Sequence, residues 1–335
     1  MHPLTESIVE TADFAASQTK SIDINLKGYI TQVDVDITLN VTAASSVTPN
    51  SDDEALRIIK GLKLTASNAK DFFSFRDGRE AYWLCYLKSE GQAIADSLPT
   101  AGNTDDVTIQ FSLHPGNFWS KPYDLTRCIP LRGLSNVQMQ VTWGSDSDLG
   151  TGYTVNASDS SMAITVHRQV LDKGEREDEA FGGVDHIIVP RYVPVVYSID
   201  GVYQSFGFSK NIQTGSRYRD VMLMVLSSSD VRSNSDVTAV QVSNNLGKTP
   251  FKQLSFARWL RQLRQRLRLP SALTGVGIIF FPDITSKDYG LDMVSASLGD
   301  WKLDFTTAAA DGEIHALYEG ADLVSVDATE IGTSD

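Results

Sequence analysis

Two cysteines, Cys85 and Cys128, are all that 335 residues contain. That is too few for the disulfide framework of a secreted domain and suits folding in a reducing compartment. Histidine is equally sparse. His2, His114, His167, His186 and His315 stand singly, with no H-x-H or H-E-x-x-H spacing, so no metal centre is expected. No G-x-S-x-G occurs, which removes the strand-to-helix nucleophile elbow. The longest apolar runs, 221–226 and 276–282, are strand-sized and far short of the ~20 residues that span a bilayer. The first twenty residues lack the basic and apolar regions of a signal peptide, so a soluble chain without signal-led export is expected. Basic residues are the minority, 29 Lys+Arg against 42 Asp+Glu, for a net charge of −13. A chain this acidic repels a phosphate backbone, which argues against nucleic-acid coating and against a sequence-specific nucleic-acid partner.

What the sequence does have is period-two alternation. Apolar residues occupy 33, 35, 37, 39 and 41, with polar residues in every gap, placing one face of a strand on a core. Ile22, Ile24 and Leu26 begin the pattern, and it returns at Val137, Met139, Val141 and Trp143 and at Met162, Ile164 and Val166. Loops rich in Gly, Asn, Asp and Ser separate these runs, and nothing reads as repeated βαβ units, so the fold class is all-β sandwich with short helices.

The pattern then repeats. Charge and glycine replace alternation over LDKGEREDEAFGGVDH (171–186), and the half after this stretch parallels the half before it. The first half reads as strands at 33–41, 56–64 and 73–75, a helix at 79–88, then strands at 107–113, 137–143 and 162–166. The second reads as strands at 220–226 and 237–242, Leu254-Ser-Phe256, a helix ending at Leu269, then strands at 276–281, 301–305 and 313–317. The expected organisation is an N-terminal arm (1–20), a first sandwich (21–174), a linker (175–186) and a second sandwich (187–335).

These tandem halves, and within them IPLRGLSNVQMQVTWGSDSDLGTGY (129–153) and GVGIIFFPD…SLGDWKLDFTTAAADGE (275–313), resemble the double jelly-roll major capsid proteins of tailless icosahedral viruses, particularly phages with an internal membrane. The resemblance covers nearly the whole chain and is architectural, without an invariant motif. It implies two tandem eight-stranded jelly rolls, a homotrimer of pseudo-hexameric outline, and assembly into an icosahedral shell. It further implies neighbouring capsomers, penton and minor capsid proteins and internal membrane lipid as partners, and a place in the virion after synthesis in host cytoplasm. The alternative is a carbohydrate- or receptor-binding sandwich, which would need Trp119 and Tyr123 exposed on a loop. A polysaccharide-cleaving sandwich enzyme would need two facing carboxylates in a cleft.

The remaining motifs argue against chemistry, and neither catalytic residues nor cofactors are expected. The run 237–249 ends in Gly-Lys-Thr after a strand, but Val242 stands where a phosphate loop needs its first glycine and Pro250 comes directly after. Cys85 lies among Tyr82, Trp83, Leu84, Tyr86 and Leu87 and reads as a buried, inert thiol. Asp146 and Asp148, with Asp159, supply oxygens of the kind calcium takes, without EF-hand spacing; solvated loop carboxylates are the default.

The unusual feature is 248–269, which holds two Lys and five Arg and no acid inside an acidic protein. On a helix, Phe256, Trp259 or Leu260, Leu263 and Leu267 form an apolar stripe. Arg258, Arg261, Arg264, Arg266 and Arg268 then make a candidate basic face. It is read either as a subunit contact paired to a neighbour's acids or as turned inward toward anionic lipid headgroups or packaged genome, the resemblance favouring lipid of the two.

Overall fold

Strand β3 (Tyr29–Pro49) realises the alternation read from the sequence: Val33, Val35, Ile37, Leu39 and Val41 are all buried while the residues between them are half-exposed or exposed. The computed structural model describes residues 4–50, 53–67, 71–115, 127–170, 186–285, 291–294 and 300–325. Within these, the contacts divide the chain into two units, Met1–Arg191 with Asp322–Asp335, and Tyr192–Ala321.

In the first unit one sheet runs β1 (Leu4–Asp13), β11 (Ser161–Gln169), β3, β7 (Thr104–Leu113), β6 (Ile94–Ala95), and the short β8 (Ile129–Pro130) and β10 (Gly150–Val155) also pair with β3. Residues 4–13, inside the segment read as an arm, are thus a strand on β11. Facing this sheet are β2 (Thr19–Asp23), β9 (Gln138–Trp143), β4 (Ile59–Thr65) and β5 (Phe73–Phe75), in the order β2-β9-β4-β5. In the second unit, β12 (His186–Ile199) and β20 (Gly312–Ser325), each running a few residues past the unit's bounds, form one sheet with β14 (Arg217–Ser227) and β17 (Val276–Phe280), and β18 (Leu291–Asp292) is also on β14. The other is β13 (Phe208–Asn211), β19 (Trp301–Thr307), β15 (Val237–Asn244) and β16 (Phe251–Gln253).

Setting aside the short β6, β8, β10 and β18 leaves eight principal strands in each unit. Counted along the chain, they lie first-eighth-third-sixth in one sheet and second-seventh-fourth-fifth in the other, identically in both units. That is the jelly-roll order, present twice. Each core is filled from both sheets. In the first unit Val35, Ile37 and Ile109 belong to one sheet, Leu62, Met139 and Val141 to the other. In the second, Val221, Leu223 and Ile278 belong to one, Val240, Leu303 and Phe305 to the other. Each such side chain contributes about 1.5–3 kcal/mol by leaving water.

A helix falls between the fifth and sixth principal strands in both units. Helix α1 (Gly78–Lys88) is capped by Asp77, whose Oδ1 accepts from the Glu80 N–H at 3.1 Å, and every residue from Gly78 to Leu87 is buried. Helix α2 (Asp146–Leu149) is a single turn after β9. Helix α3 (Phe256–Arg266) and the one-turn α4 (Pro282–Thr285) flank β17.

Two sequence readings need correction. Leu254-Ser-Phe256 is not the counterpart of strand Phe73–Phe75. The fifth strand of the second unit is Phe251–Gln253, and Ser255 is the cap of α3, its Oγ accepting from the Arg258 N–H at 3.3 Å. A serine ahead of a helix satisfies an otherwise orphaned N–H, and that local gain decides its role. Likewise the strand read over 56–64 begins only at Ile59, because Glu54–Ile58 winds into a 3-10 turn behind Asp53 at φ 62°. The linker read at 175–186 lies, up to residue 185, outside the described residues, as do Trp119 and Tyr123.

Candidate functional site

Helix α3 forms where the sequence placed it, and its stripe is core: Phe256, Trp259, Leu260, Leu263 and Leu267 are buried. The edge strands on either side receive this stripe. Trp259 meets Phe251 of β16 edge-to-face at 5.7 Å between ring centroids and Phe256 at 5.5 Å. On β17, Gly277 lets the helix approach, since a Cβ built there would lie 2.7 Å from Leu260 Cδ2 and 2.8 Å from Trp259 Cη2. Replacing Gly277 by valine is therefore expected to push α3 off β17 at a cost of about 1–3 kcal/mol. Thermal unfolding measures that loss, and faster amide exchange across 256–266 locates it.

The opposite face is cationic. Arg258, Arg261, Arg264, Arg266 and Arg268 are all exposed. Arg264 folds back on the helix end, donating from Nε to Leu269 O at 3.2 Å and from a terminal nitrogen to Pro270 O at 2.7 Å. It thereby satisfies carbonyls beyond the last turn and complements the helix dipole. Arg266 pairs with Asp283 at 2.5 Å and lies 5.1 Å over the Phe280 ring. Arg258, Arg261 and Arg268 form no ion pair among the described residues. Between α3 and the neighbouring strands runs a groove of about 290 Å³ floored by Phe251, Trp259, Ile278 and Phe280, with the Arg266–Asp283 pair on its rim. The groove was not legible in the sequence, because its walls come from segments brought together only by the jelly-roll crossover.

The other residues singled out have structural employment. Asp148 accepts from the Ser145 N–H at 2.8 Å and pairs with Lys60 at 2.6 Å. Burial alone would raise its pKa, but these partners hold the carboxyl below its ordinary value. Asp146 accepts from the Val155 N–H at 3.2 Å, and Asp159 from Ser158 Oγ at 3.2 Å. Among the described residues no three His, Cys, Asp or Glu side chains are placed to hold a metal. The Gly-Lys-Thr run is the β15–β16 hairpin turn, with Gly247 at φ 72° and the Lys248 N–H bound to Asn244 Oδ1, and no helix starts there to receive a phosphate. Cys85 and Cys128 are buried thiols that form no disulfide, and burial pushes the Cys85 thiol up, away from the reactive thiolate.

One cluster escaped the sequence reading. On the outer face of β11-β3-β7, Asp34 accepts from Gln32 Nε2, Ser112 Oγ and His167 Nε2, each at 2.6 Å. The residue types are those of a hydrolase triad, but the wiring is not. Hydroxyl and imidazole both bind the carboxylate and neither activates the other. Register brings them together, Asp34 standing opposite Ser112 and Gln32 opposite His167, so only the strand pairing reveals them. Burial would raise the Asp34 pKa, and the three hydrogen bonds bring it below the ordinary value.

No protein-family model matches the sequence, and no curated protein does. Among solved structures the chain has the double jelly-roll fold of viral major capsid proteins. It is similar to the major capsid protein of Sulfolobus turreted icosahedral virus, with a TM-score of 0.75 and 16% identity over 94% of this chain and 97% of that one. It is also similar to the PBCV-1 virus capsid (TM-score 0.60, 10% identity, 98% of this chain and 95% of that). A third likeness is to the major capsid protein P2 of bacteriophage PM2 (TM-score 0.53, 12% identity, 96% and 98%). At such identities the likeness is one of fold.

Proposed function

We propose that this chain is a viral major capsid protein, which trimerises into pseudo-hexameric capsomers that close an icosahedral shell. The observation that carries the reading is the duplicated jelly roll, matched end to end with a capsid protein over 97% of that protein's length. Two like sandwiches in one chain give a trimer six similar blocks, and six blocks tile a surface. The role is structural. Its mechanism is complementary contact between copies, weaker between capsomers than within them. The arginines of α3 are contact residues of that assembly. Penton and minor capsid proteins, and lipid beneath the shell, complete the set of partners, and the finished protein resides in the virion after synthesis in the host cytoplasm.

The test is the solution mass of purified full-length protein by light scattering, with negative-stain images of the same peak. A stable particle of about three times 36.7 kDa with a hexagonal outline is expected. A monodisperse monomer at concentrations where shells should form would overturn the reading.

A further inference from the structure

We infer that α3, with the strand edges β16 and β17 beside it, is the docking side for the β1–β2 edge of a second copy of this chain. The inference rests on the assembly reading above and names the surfaces that carry it.

Each sheet order ends somewhere, and those ends are where a sandwich can meet another body. β16 ends its sheet and β17 ends another; α3 stands beside both and leaves the 290 Å³ groove at the seam. At the other end of the orders, β1 and β2 are terminal strands of the first unit's two sheets. A surface on the second unit and one on the first are different surfaces, so pairing them between copies is a heterologous contact, the kind that closes a ring.

Two independent properties mark the α3 side as a surface to be covered. The first is apolar. Among the described residues the two most exposed large hydrophobic side chains are Leu254 at 75% and Leu246 at 74%, and they flank β16 on either side in the sequence. A helix that merely displayed charge to water would gain nothing from such neighbours. The second is charge. Lys248, Lys252 and the five arginines stand in a stretch without acid, while the chain as a whole is at −13, so the rest of the molecule is more acidic still. A second copy therefore supplies the complementary sign. The β1–β2 edge does so locally, with exposed Glu10, Asp13 and Asp23 and the single cation Lys20. Asp23 already accepts from Gln138 Nε2 at 2.7 Å, which holds it in place on its edge.

Shape and residue type favour a protein edge over a lipid surface. The seam is a groove, which a strand edge with its side chains fills and a flat headgroup layer does not. Five of the seven cations are arginine, whose planar fork binds carboxylates two bonds at a time.

The test is charge reversal on the full chain, read by light scattering at low and high salt. Arg258→Glu with Arg261→Glu is expected to weaken trimer association at least tenfold, and Glu10→Arg with Asp13→Arg to do the same. Combining the two sets within one chain is expected to restore most of the loss, and the differences shrink in high salt. Unchanged thermal unfolding of each variant shows that its sandwiches are intact. If wild type is trimeric and both reversed variants remain fully trimeric, this contact is wrong while the assembly reading stands. The contact is equally wrong if the arginine variant stays trimeric but no longer sediments with phosphatidylglycerol vesicles, which assigns the face to lipid. A wild type that never leaves the monomer overturns both.

Discussion

Replacing Gly28 by alanine is expected to destabilise the first unit by about 3–5 kcal/mol, enough to exhaust much of a domain's stability. Gly28 turns the chain into β3 at φ 108°, a backbone conformation that side chains rarely adopt. A Cβ built there would stand 2.2 Å from the carbonyl oxygen of Gln169, the last residue of β11. Backbone cannot step aside as a side-chain tip can, so either the turn moves or the final β11–β3 pair, Gln169 with Tyr29, is lost. Neither relief is cheap, since β3 lies between β11 and β7 and carries six buried apolar side chains in alternation, from Val33 to Ala43. Urea unfolding of the variant measures the loss. A midpoint within error of wild type would show that the turn relaxes freely.

The second large effect is acid lability governed by His114. Burial pushes its imidazole down to about 4 from an ordinary 6.5. Asp34 nearby opposes that shift, and His167 and Lys88 reinforce it. Between those two values the unfolded chain takes up a proton that the folded chain refuses, so folding stability falls as pH drops from about 6.5 toward 4. The full difference is about 3 kcal/mol. Asp34 acts below that window. Its folded pKa is depressed, so its stabilisation is complete above the ordinary carboxylate value and is lost as pH falls through the lower folded one. Unfolding midpoints at pH 7 and pH 4.5 separate the two groups. His114→Gln should remove most of the difference between these pH values, and an unaltered slope in that variant would refute the assignment.

Much of this fold was legible because its central strands bury one face and wet the other. The runs at 33–41, 137–143 and 162–166 alternate cleanly, and each became a principal strand. The parallel between halves was also legible, since third, fourth, sixth, seventh and eighth strands correspond in order. The first strands were not. His186–Ile199 carries two prolines and consecutive apolar residues, so its period is blurred, and residues 4–13 show no alternation that distinguishes a strand from an arm. The fifth strand of the second unit spans three residues, too few for any period. At α3 the stripe and the arginines came from helical spacing alone. The groove and the Asp34 cluster did not, because both depend on which strands become neighbours.

Those neighbours also set the order in which the protein can be made. Leu4 pairs with Gln169, so the first strand of the first unit waits for its last. At 5–20 residues per second a ribosome needs on the order of ten to thirty seconds to supply that partner. Through that interval β3 has its alternating apolar face but no β11, and β1 has no sheet to join. Nascent chains on crowded polysomes therefore expose matching unpaired strands to one another. Whatever shields those strands during synthesis therefore favours correct pairing, and lowering the translation temperature is expected to raise the soluble yield.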